Sequence, residues 1–195
     1  MNKGRYIIFE GVDGSGKSTQ AKILSQRLGA KLTREPGGTL IGQKIRELIL
    51  HSNDSLEVET EAILMAADRS EHLAKIILPA VSTGVDVVSD RSYLSSYAYQ
   101  GYGDGFSLVR LKELNEPLLR IVMPTHIVFI DTPIDIATSR INGEKDRFES
   151  SGNNFFERVR EGYLSLEKES SLPWLTIDGM KSVEEISGII NRFID

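Results

Sequence analysis

The segment with the clearest chemical signature is Gly11-Val12-Asp13-Gly14-Ser15-Gly16-Lys17-Ser18, which matches the pattern G-x-x-x-x-G-K-[ST] in full. Glycines at these positions let the backbone curl so that successive N–H groups point at phosphate oxygens. We expect Lys17 to contact the β- and γ-phosphates of a nucleotide as a catalytic residue, and Ser18 to bind magnesium. The residues expected to bind ATP here are Gly11, Val12, Asp13, Gly14, Ser15, Gly16, Lys17, Ser18 and Thr19.

Short apolar runs alternate along the chain with longer segments of helical period. The runs typical of β-strands are 6–9, 85–88, 126–130 and 174–177, with a weaker candidate at 30–33. Three helical faces follow the i, i+3, i+4 spacing: Ile41, Ile45, Leu48 and Ile49; Ile63, Ala66, Leu73 and Ile77; Phe155, Val159, Tyr163 and Leu166. Nearly continuous apolar strands between helices indicate an α/β fold, with a parallel sheet covered on both faces.

Three stretches rich in polar and glycine residues each follow a candidate strand: 10–19, 34–39 and 90–92. Because such sheets bind ligands beyond the carboxyl ends of their strands, we expect these stretches to lie together. Arg34 and Arg91 would then converge on a second, acceptor phosphate through their guanidinium groups, and we expect Arg91 to be a catalytic residue as well. Asp90 is suited to hold magnesium or its waters together with Ser18.

Four further segments stand in a characteristic order and spacing around the phosphate-binding motif. They are Thr33-Arg34-Glu35-Pro36-Gly37-Gly38-Thr39, Ala66-Ala67-Asp68-Arg69, Asp90-Arg91-Ser92 and Ala98-Tyr99-Gln100-Gly101. With that motif they make the chain resemble the thymidylate kinase family over nearly its whole length. The resemblance implies a P-loop NTPase-type five-stranded parallel sheet with helices on both faces, and a homodimer. It also implies transfer of the ATP γ-phosphoryl group to dTMP, giving ADP and dTDP for dTTP synthesis, with Mg²⁺ as cofactor.

The resemblance extends to the recognition of dTMP. The residues expected at the dTMP site are Asp13, Arg34, Met65, Arg69, Arg91, Ser96, Tyr99 and Gln100. Within the family pattern, the arginine matched by Arg69 bonds the base, Tyr99 crowds the ribose 2′ position, and Asp13 lies near the sugar 3′-hydroxyl. Met65 stands where the family usually stacks a phenylalanine on thymine. The alternative for Met65 is an ordinary core side chain.

A mobile lid is expected at about 140–150, within one domain that spans residues 1–195. Arg140 matches the family residue that packs on the donor adenine. Some relatives carry a catalytic basic residue inside the phosphate loop, but this chain has Gly14 there, which favours a cation supplied by the lid. The candidates are Lys145 and Arg147. The alternative is a solvated charged loop with no catalytic role.

Composition excludes several other classes of protein. The chain has 195 residues, no cysteine and a net charge of -5. That charge argues against a general nucleic-acid binder, which needs a basic face to neutralise phosphates. The absence of cysteine excludes disulfides and thiolate metal sites and fits a cytoplasmic protein. No apolar stretch approaches the roughly 20 residues of a membrane span, so we expect no membrane partner.

Three competing functions remain open from the residues alone. Another P-loop kinase for a small substrate is one, although the segments 33–39 and 98–101 favour the thymidylate pattern. A GTP-binding switch would need an Asn-Lys-x-Asp motif, which the chain lacks. The third is a non-catalytic nucleotide-binding module. The three histidines lie outside every motif, and we interpret them all as structural: His51, His72 and His126.

Overall fold

The computed structural model describes residues 3–51, 56–141 and 152–195. Its centre is a five-stranded sheet in the order β2-β3-β1-β4-β5, in which every neighbouring pair is parallel. The strands are β1 (Tyr6–Glu10), β2 (Lys31–Arg34), β3 (Val87–Asp90), β4 (His126–Asp131) and β5 (Trp174–Asp178). The predicted α/β class with an all-parallel sheet is therefore confirmed.

Helices connect the strands and cover both faces of the sheet. Their bounds are α1 (Lys17–Leu28), α2 (Leu40–His51), α3 (Val58–His72), α4 (Leu78–Ser82), α5 (Tyr93–Ser96), α6 (Leu108–Leu119), α7 (Ile134–Ser139), α8 (Asn153–Glu169) and α9 (Val183–Ile194). Two π-helical segments, Leu73–Ile77 and Tyr97–Gly103, continue α3 into α4 and extend α5. No helix that the structure describes is long and apolar enough to cross a membrane.

The central strand shows why both faces are covered. Ile7 and Phe9 pack on one side, in a cluster with apolar side chains of α1 and α9. Tyr6 and Ile8 alternate to the other side, in a larger cluster with α2, α3, α8 and the segment after β3. A strand buried on both faces has an almost continuous apolar sequence, which is why this strand is recognisable from its residues.

One strand lies two residues later than its sequence pattern indicates. The apolar run 85–88 suggests a strand from Val85, but β3 begins at Val87. Val85 belongs instead to a turn in which its N–H donates to Ala80 O. Asp86 accepts hydrogen bonds from the backbone and guanidinium of Arg5 at 2.6–3.0 Å. The shift places Asp90 at the end of β3, level with Phe9 and with Arg34.

The helical faces divide between the core and the surface. Ile45 and Ile49 of α2 are buried. Ile41 and Leu48 of the same predicted face, and Ile63 of α3, are 46–54% exposed. The helical period is therefore right, but the apolar stripe is wider than the face that the sheet covers.

Candidate active site

The phosphate-binding loop joins β1 to α1 and depends on glycines with positive φ. Gly11, Gly14 and Gly16 have φ values of 146°, 79° and 94°, which residues with a side chain rarely adopt. Gly16 is also the N-cap of α1, and no side chain in the described ranges caps that end. The first N–H groups of α1 are therefore available to donate to a phosphate.

Asp13 connects the two main cations of the site. Its carboxylate accepts hydrogen bonds from Arg91 at 2.7 Å, from Lys17 Nζ at 3.2 Å and from Tyr99 OH at 3.1 Å. Burial alone raises the pKa of Asp13, but Arg91 and Lys17 outweigh burial and hold this pKa well below its usual range. Asp13 is therefore a permanent anion between the phosphate loop and the segment that follows β3.

Ser18 and Asp90, the residues expected to bind magnesium, lie side by side. Ser18 Oγ donates to Asp90 Oδ2 at 2.5 Å, and Asp90 Oδ1 is buried without a hydrogen-bond partner among the described residues. A buried carboxylate oxygen that lacks a donor suits a cation or a metal-bound water. Within the described ranges no group of three or more His, Cys, Asp or Glu can hold a metal.

A cavity opens beside the Asp13–Arg91 pair. Its lining comes from the phosphate loop, the segment 33–39, α2, α3 and the chain after β3: Asp13, Glu35, Pro36, Arg46, Leu50, Met65, Arg69, Arg91, Ser92, Ser95, Ser96, Tyr99 and Gln100. Seven of the eight residues predicted from sequence for dTMP are in this set, and the exception is Arg34.

A buried network fixes the position of Arg69 in the cavity wall. Its Nε donates to Glu35 Oε2 at 2.8 Å, its NH2 group to Ser96 Oγ at 3.2 Å, and its NH1 group to Asn115 Oδ1 of α6. Arg69 is only 2% exposed. Burial alone raises the pKa of Glu35, but Arg69 and His72 outweigh burial and hold it below its usual value. The network therefore keeps a charged donor at one place in the cavity wall.

The π-helical segment Tyr97–Gly103 carries two further cavity residues. Gln100 Nε2 donates to Glu61 Oε1 at 2.5 Å, whereas Gln100 Oε1 is buried with no partner among the described residues. Tyr99 lies against Arg91, whose guanidinium carbon is 4.8 Å from the centre of the tyrosine ring. Single turns of π-helix are frequent at functional sites because they re-aim neighbouring side chains.

Arg34 does not converge with Arg91, contrary to the expectation from the sequence. It is exposed and lines a separate cavity with Ser18 and Asp90. The reason is the alternation of side chains along a strand: Glu35 points into the cavity beside Arg91, so its neighbour Arg34 points away. Arg46, which the sequence reasoning did not single out, lines the cavity instead. The available signal was its position one residue after Ile45, at the border of the buried face of α2.

Of the segment 140–150, which is expected to form a lid, the structure describes residues 140 and 141. Arg140 follows α7 and donates to Gly179 O through NH1 and NH2, at 3.3 and 3.2 Å. Lys145 and Arg147, the two candidate catalytic cations, lie outside the described residues, so their role stays a prediction.

The histidines have distinct surroundings. His72 is buried, with Nδ1 2.8 Å from Glu35 Oε1 and Nε2 2.6 Å from Thr33 Oγ1, so it joins α3 to the segment 33–39. His126 packs edge-on against Phe193, and burial lowers its pKa. His51 is exposed at the end of α2. None of the three lines the cavity.

Comparison with known proteins identifies the family. The family model described as thymidylate kinase matches residues 9–190 of the chain. This chain belongs to the thymidylate kinase family. A thymidylate kinase of Carboxydothermus hydrogenoformans is 41% identical over 200 residues, covering 99% of this chain and 98% of the relative. One from Kosmotoga olearia is 43% identical, covering 97% and 95%. The crystal structure of thymidylate kinase from Ehrlichia chaffeensis matches with a TM-score of 0.81 at 30% identity, over 98% of both chains.

Membership of the thymidylate kinase family confirms the expectation drawn from the five sequence segments. The structural match also confirms the five-stranded parallel sheet with helices that this resemblance implies. A kinase of this family binds two nucleotides. Two binding regions are therefore expected, and in this chain the phosphate loop and the second cavity meet at the carboxylate of Asp13.

Gly14 packs against the helix that leads to the lid. A Cβ at Gly14 would lie 2.0 Å from Ala137 O in α7, whereas a Cβ at Gly16 would meet nothing within 4 Å. Both residues have positive φ. Position 14 therefore has no room for a side chain unless α7 moves, which fits its lack of the basic residue found in some relatives.

We expect Gly14→Ala to destabilise the protein more than Gly16→Ala. Each alanine carries the cost of a left-handed backbone, about 1–2 kcal/mol. Gly14→Ala adds an overpacking cost of about 1–3 kcal/mol, because α7 must shift. Urea unfolding of the two nucleotide-free variants measures the difference. Equal losses at both positions would contradict the close contact between the loop and α7.

Proposed function

We propose that this chain is an ATP-dependent dTMP kinase, which transfers the γ-phosphoryl group of ATP to dTMP and forms ADP and dTDP for dTTP synthesis. The observation that carries the proposal is the position of Asp13, bonded both to Lys17 of the phosphate loop and to Arg91 of the neighbouring cavity. Two phosphorylated substrates that bind on either side of this carboxylate meet end to end. Such alignment supplies much of the catalysis of phosphoryl transfer.

The donor half is the phosphate loop with its helix N-terminus. Lys17 Nζ contacts Asp13 and Val12 O at 3.2 and 3.4 Å, and a nucleotide would draw this ammonium group towards its β- and γ-phosphates. The positive end of the α1 dipole favours the same charge. Arg140, just beyond α7, is the proposed contact of the adenine.

Ser18 and Asp90 are the proposed holders of Mg²⁺, since one oxygen of Asp90 is buried without a donor. Mg²⁺ bound there would neutralise charge on the ATP phosphates. Asp90 ends β3 next to β1, so its carboxylate is fixed by the sheet at the mouth of the phosphate loop. Ser18 is held to it by the hydrogen bond between their side chains.

The acceptor half binds the dTMP phosphate through Arg91 and Arg46, which line the same cavity. Arg91 is mostly buried and charged, because Asp13 stabilises its guanidinium against the cost of burial. Arg46 extends from α2 and donates to Pro36 O at 3.2 Å. A phosphate monoester has its second pKa near 6, so dTMP is largely a dianion at neutral pH and needs no general base. Its attack needs alignment and cancellation of charge.

The end of the cavity that contains Arg69 is proposed to recognise the thymine base. Arg69 supplies fixed N–H donors for a carbonyl oxygen, and its partner Ser96 lies beside it. Gln100 Oε1 is a buried acceptor without a partner in the described chain, and the N3–H group of thymine is a donor. Met65 is half-buried in the cavity wall and offers a thioether against the ring. Tyr99, which lines the same cavity, is proposed to crowd the ribose 2′ position.

The proposal has three broader parts. The single domain 1–195, with a lid at about 140–150 that carries Lys145 and Arg147, follows from the family pattern. A homodimer is supported by the exposed apolar side chains Ile41, Leu48 and Ile63 on α2 and α3. A cytoplasmic location is supported by the cysteine-free sequence.

Incubation with ATP, Mg²⁺ and a panel of nucleoside monophosphates tests the proposed function directly. We expect dTMP to be the preferred acceptor, with ADP and dTDP formed in equal amounts. Lys17→Ala should fold normally and lose about 10²- to 10³-fold in rate, as when one electrostatic contact to a transition state is removed. Preference for another monophosphate would identify a different P-loop kinase. Near-normal turnover by Lys17→Ala would overturn the donor assignment.

Arg46→Ala and Arg34→Ala form a matched pair that tests the acceptor phosphate. Removing a charged donor costs roughly 1.5–3 kcal/mol, so Arg46→Ala should raise the Michaelis constant for dTMP by about 10- to 150-fold. The constant for ATP should stay nearly unchanged. Arg34→Ala should change the dTMP constant little, because Arg34 lines a different cavity. The opposite ranking of the two variants would contradict this division of the site.

Met65→Phe tests whether Met65 contacts the base. A phenylalanine adds a stacking surface worth about 0.5–1.5 kcal/mol, so the melting temperature should rise more on addition of dTMP than it does in the native protein. If Met65 were only a core residue, the larger ring would cost about 1–3 kcal/mol of stability. A large fall in the ligand-free melting temperature, with no larger dTMP shift, would remove Met65 from the site. Arg69→Ala is a poorer test, because it leaves Glu35 buried without its cation.

A further inference from the structure

Glu10 is a buried carboxylate that the proposed mechanism does not yet use. It is the last residue of β1, immediately before the phosphate loop, and it is 0% exposed. By the alternation of the strand it lies on the same side of the sheet as Tyr6 and Ile8, which belong to the larger apolar cluster. A charged group in such a layer is costly unless hydrogen bonds satisfy it.

Three donors satisfy Glu10. Ser92 N donates to Oε1 at 2.9 Å, and Oε2 accepts from Ser95 Oγ at 2.6 Å and from Tyr163 OH at 2.9 Å. Ser92 and Ser95 belong to the segment that follows β3, and Tyr163 comes from α8. One carboxylate therefore joins the central strand, the segment that carries Arg91 and a helix from beyond the lid.

The same groups also hold the guanidinium of Arg91. Its NH1 group donates to Ser95 Oγ at 3.0 Å and to Tyr163 OH at 3.4 Å. Each hydroxyl has a single proton, and the two hydroxyls lie 3.0 Å apart. When both protons are donated to Glu10, each hydroxyl presents only lone pairs to Arg91. The carboxylate thus sets the direction of the hydrogen bonds on which the arginine depends.

The backbone at Arg91 needs support as well. Arg91 has φ of 71°, the one positive φ outside glycine in the described ranges, and a residue with a side chain is strained in this conformation. Its N–H donates to Phe9 O at 2.8 Å, and its carbonyl accepts from Ser89 Oγ at 2.8 Å. The next N–H, that of Ser92, is the one that Glu10 accepts.

We propose that Glu10 is a positioning residue for the acceptor phosphate: through Ser92, Ser95 and Tyr163 it holds Arg91 in the strained conformation that directs its guanidinium into the cavity. The inference rests on the proposed function, because it assumes that Arg91 binds the phosphate of dTMP. Glu10 itself does not line the cavity.

The charge of Glu10 gives a readout that a purely structural role would not. Burial raises the pKa of Glu10 to about 7, although Ser95, Arg91 and Tyr163 each lower it. The titratable and charged groups around it are Tyr6 of β1, Arg91 after β3, Tyr93 of α5 and Tyr163 of α8. Below that pH the carboxyl of Glu10 is protonated, and its O–H group needs a hydrogen-bond acceptor. It then competes with Arg91 for the lone pairs of Ser95 and Tyr163.

Glu10→Gln imitates the protonated carboxyl at every pH. Its amide puts an N–H₂ donor where the ionised carboxylate has an acceptor oxygen. We expect its Michaelis constant for dTMP to rise roughly 10- to 100-fold, the range seen when a group that orients a ligand-binding residue is removed. The ATP constant should stay within about 2-fold, because Glu10 does not contact Lys17. The native enzyme should lose dTMP affinity as pH falls through about 7, and Glu10→Gln should lack that component. The ionisation of dTMP itself contributes equally to both proteins.

Two tyrosines provide a matched control within the same buried layer. Tyr163→Phe removes a hydroxyl that contacts both Glu10 and Arg91, whereas Tyr6→Phe removes one that contacts Ser92 Oγ at 3.0 Å. Tyr163→Phe should raise the dTMP constant about 10-fold, equivalent to one hydrogen bond to a charged group, and Tyr6→Phe should leave it unchanged. This pair decides the matter if Glu10→Gln does not fold.

Several results would overturn the inference. They are an unchanged dTMP constant in folded Glu10→Gln or Tyr163→Phe, an equal rise for ATP and dTMP, and an equal effect of Tyr6→Phe. Failure of the native protein to phosphorylate dTMP would instead overturn the proposed function, so the two failures are distinguishable.

Discussion

The two halves of the site depend on the ion pairs that the Asp13 carboxylate forms with Lys17 and Arg91. The carboxylate accepts hydrogen bonds from Arg91 at 2.7 Å and from Lys17 at 3.2 Å, and so fixes the cation of the acceptor cavity beside the cation of the phosphate loop. Without this carboxylate, the positive charges of Lys17 and Arg91 would repel each other. The sheet makes the arrangement possible, because β1 and β3 are parallel neighbours and both end at this edge.

Buried carboxylates hold the surroundings of the cavity arginines at two places. Glu35 accepts directly from Arg69, and Glu10 accepts from the hydroxyl groups of Ser95 and Tyr163, which contact Arg91. Each acid lies at or next to the end of a strand and is at most 3% exposed. A buried ion pair such as that of Glu35 with Arg69 adds little net stability, but the loss of one member is strongly destabilising. Both carboxylates therefore serve to fix donors in place, which favours a site that is formed before its substrates bind.

The sequence predicts best those features that depend on local pattern. The phosphate loop and the strands buried on both faces are recognisable because a few adjacent residues determine them. Features that depend on packing are not: α2 leaves Ile41 and Leu48 exposed, and β3 begins late because Asp86 binds Arg5. Asn115, a partner of Arg69, is 46 residues away in sequence and follows no motif. The expectation for Arg34 was wrong because the alternation beyond β2 turns Glu35, and not Arg34, into the cavity.

The most direct test of this account is a double-mutant cycle between Asp13 and Arg91, measured by urea unfolding of the nucleotide-free protein. Asp13→Asn leaves Arg91 without its counter-charge, and Arg91→Met leaves Asp13 paired with Lys17 alone. The loss of the Lys17 contact is common to Asp13→Asn and the double variant, so it cancels in the cycle and the coupling reports the Asp13–Arg91 pair. The account predicts that the double variant loses less stability than the sum of the two single losses, by about 1 kcal/mol or more. Losses that add to within about 0.5 kcal/mol would contradict it, because the carboxylate would then not hold the arginine in place.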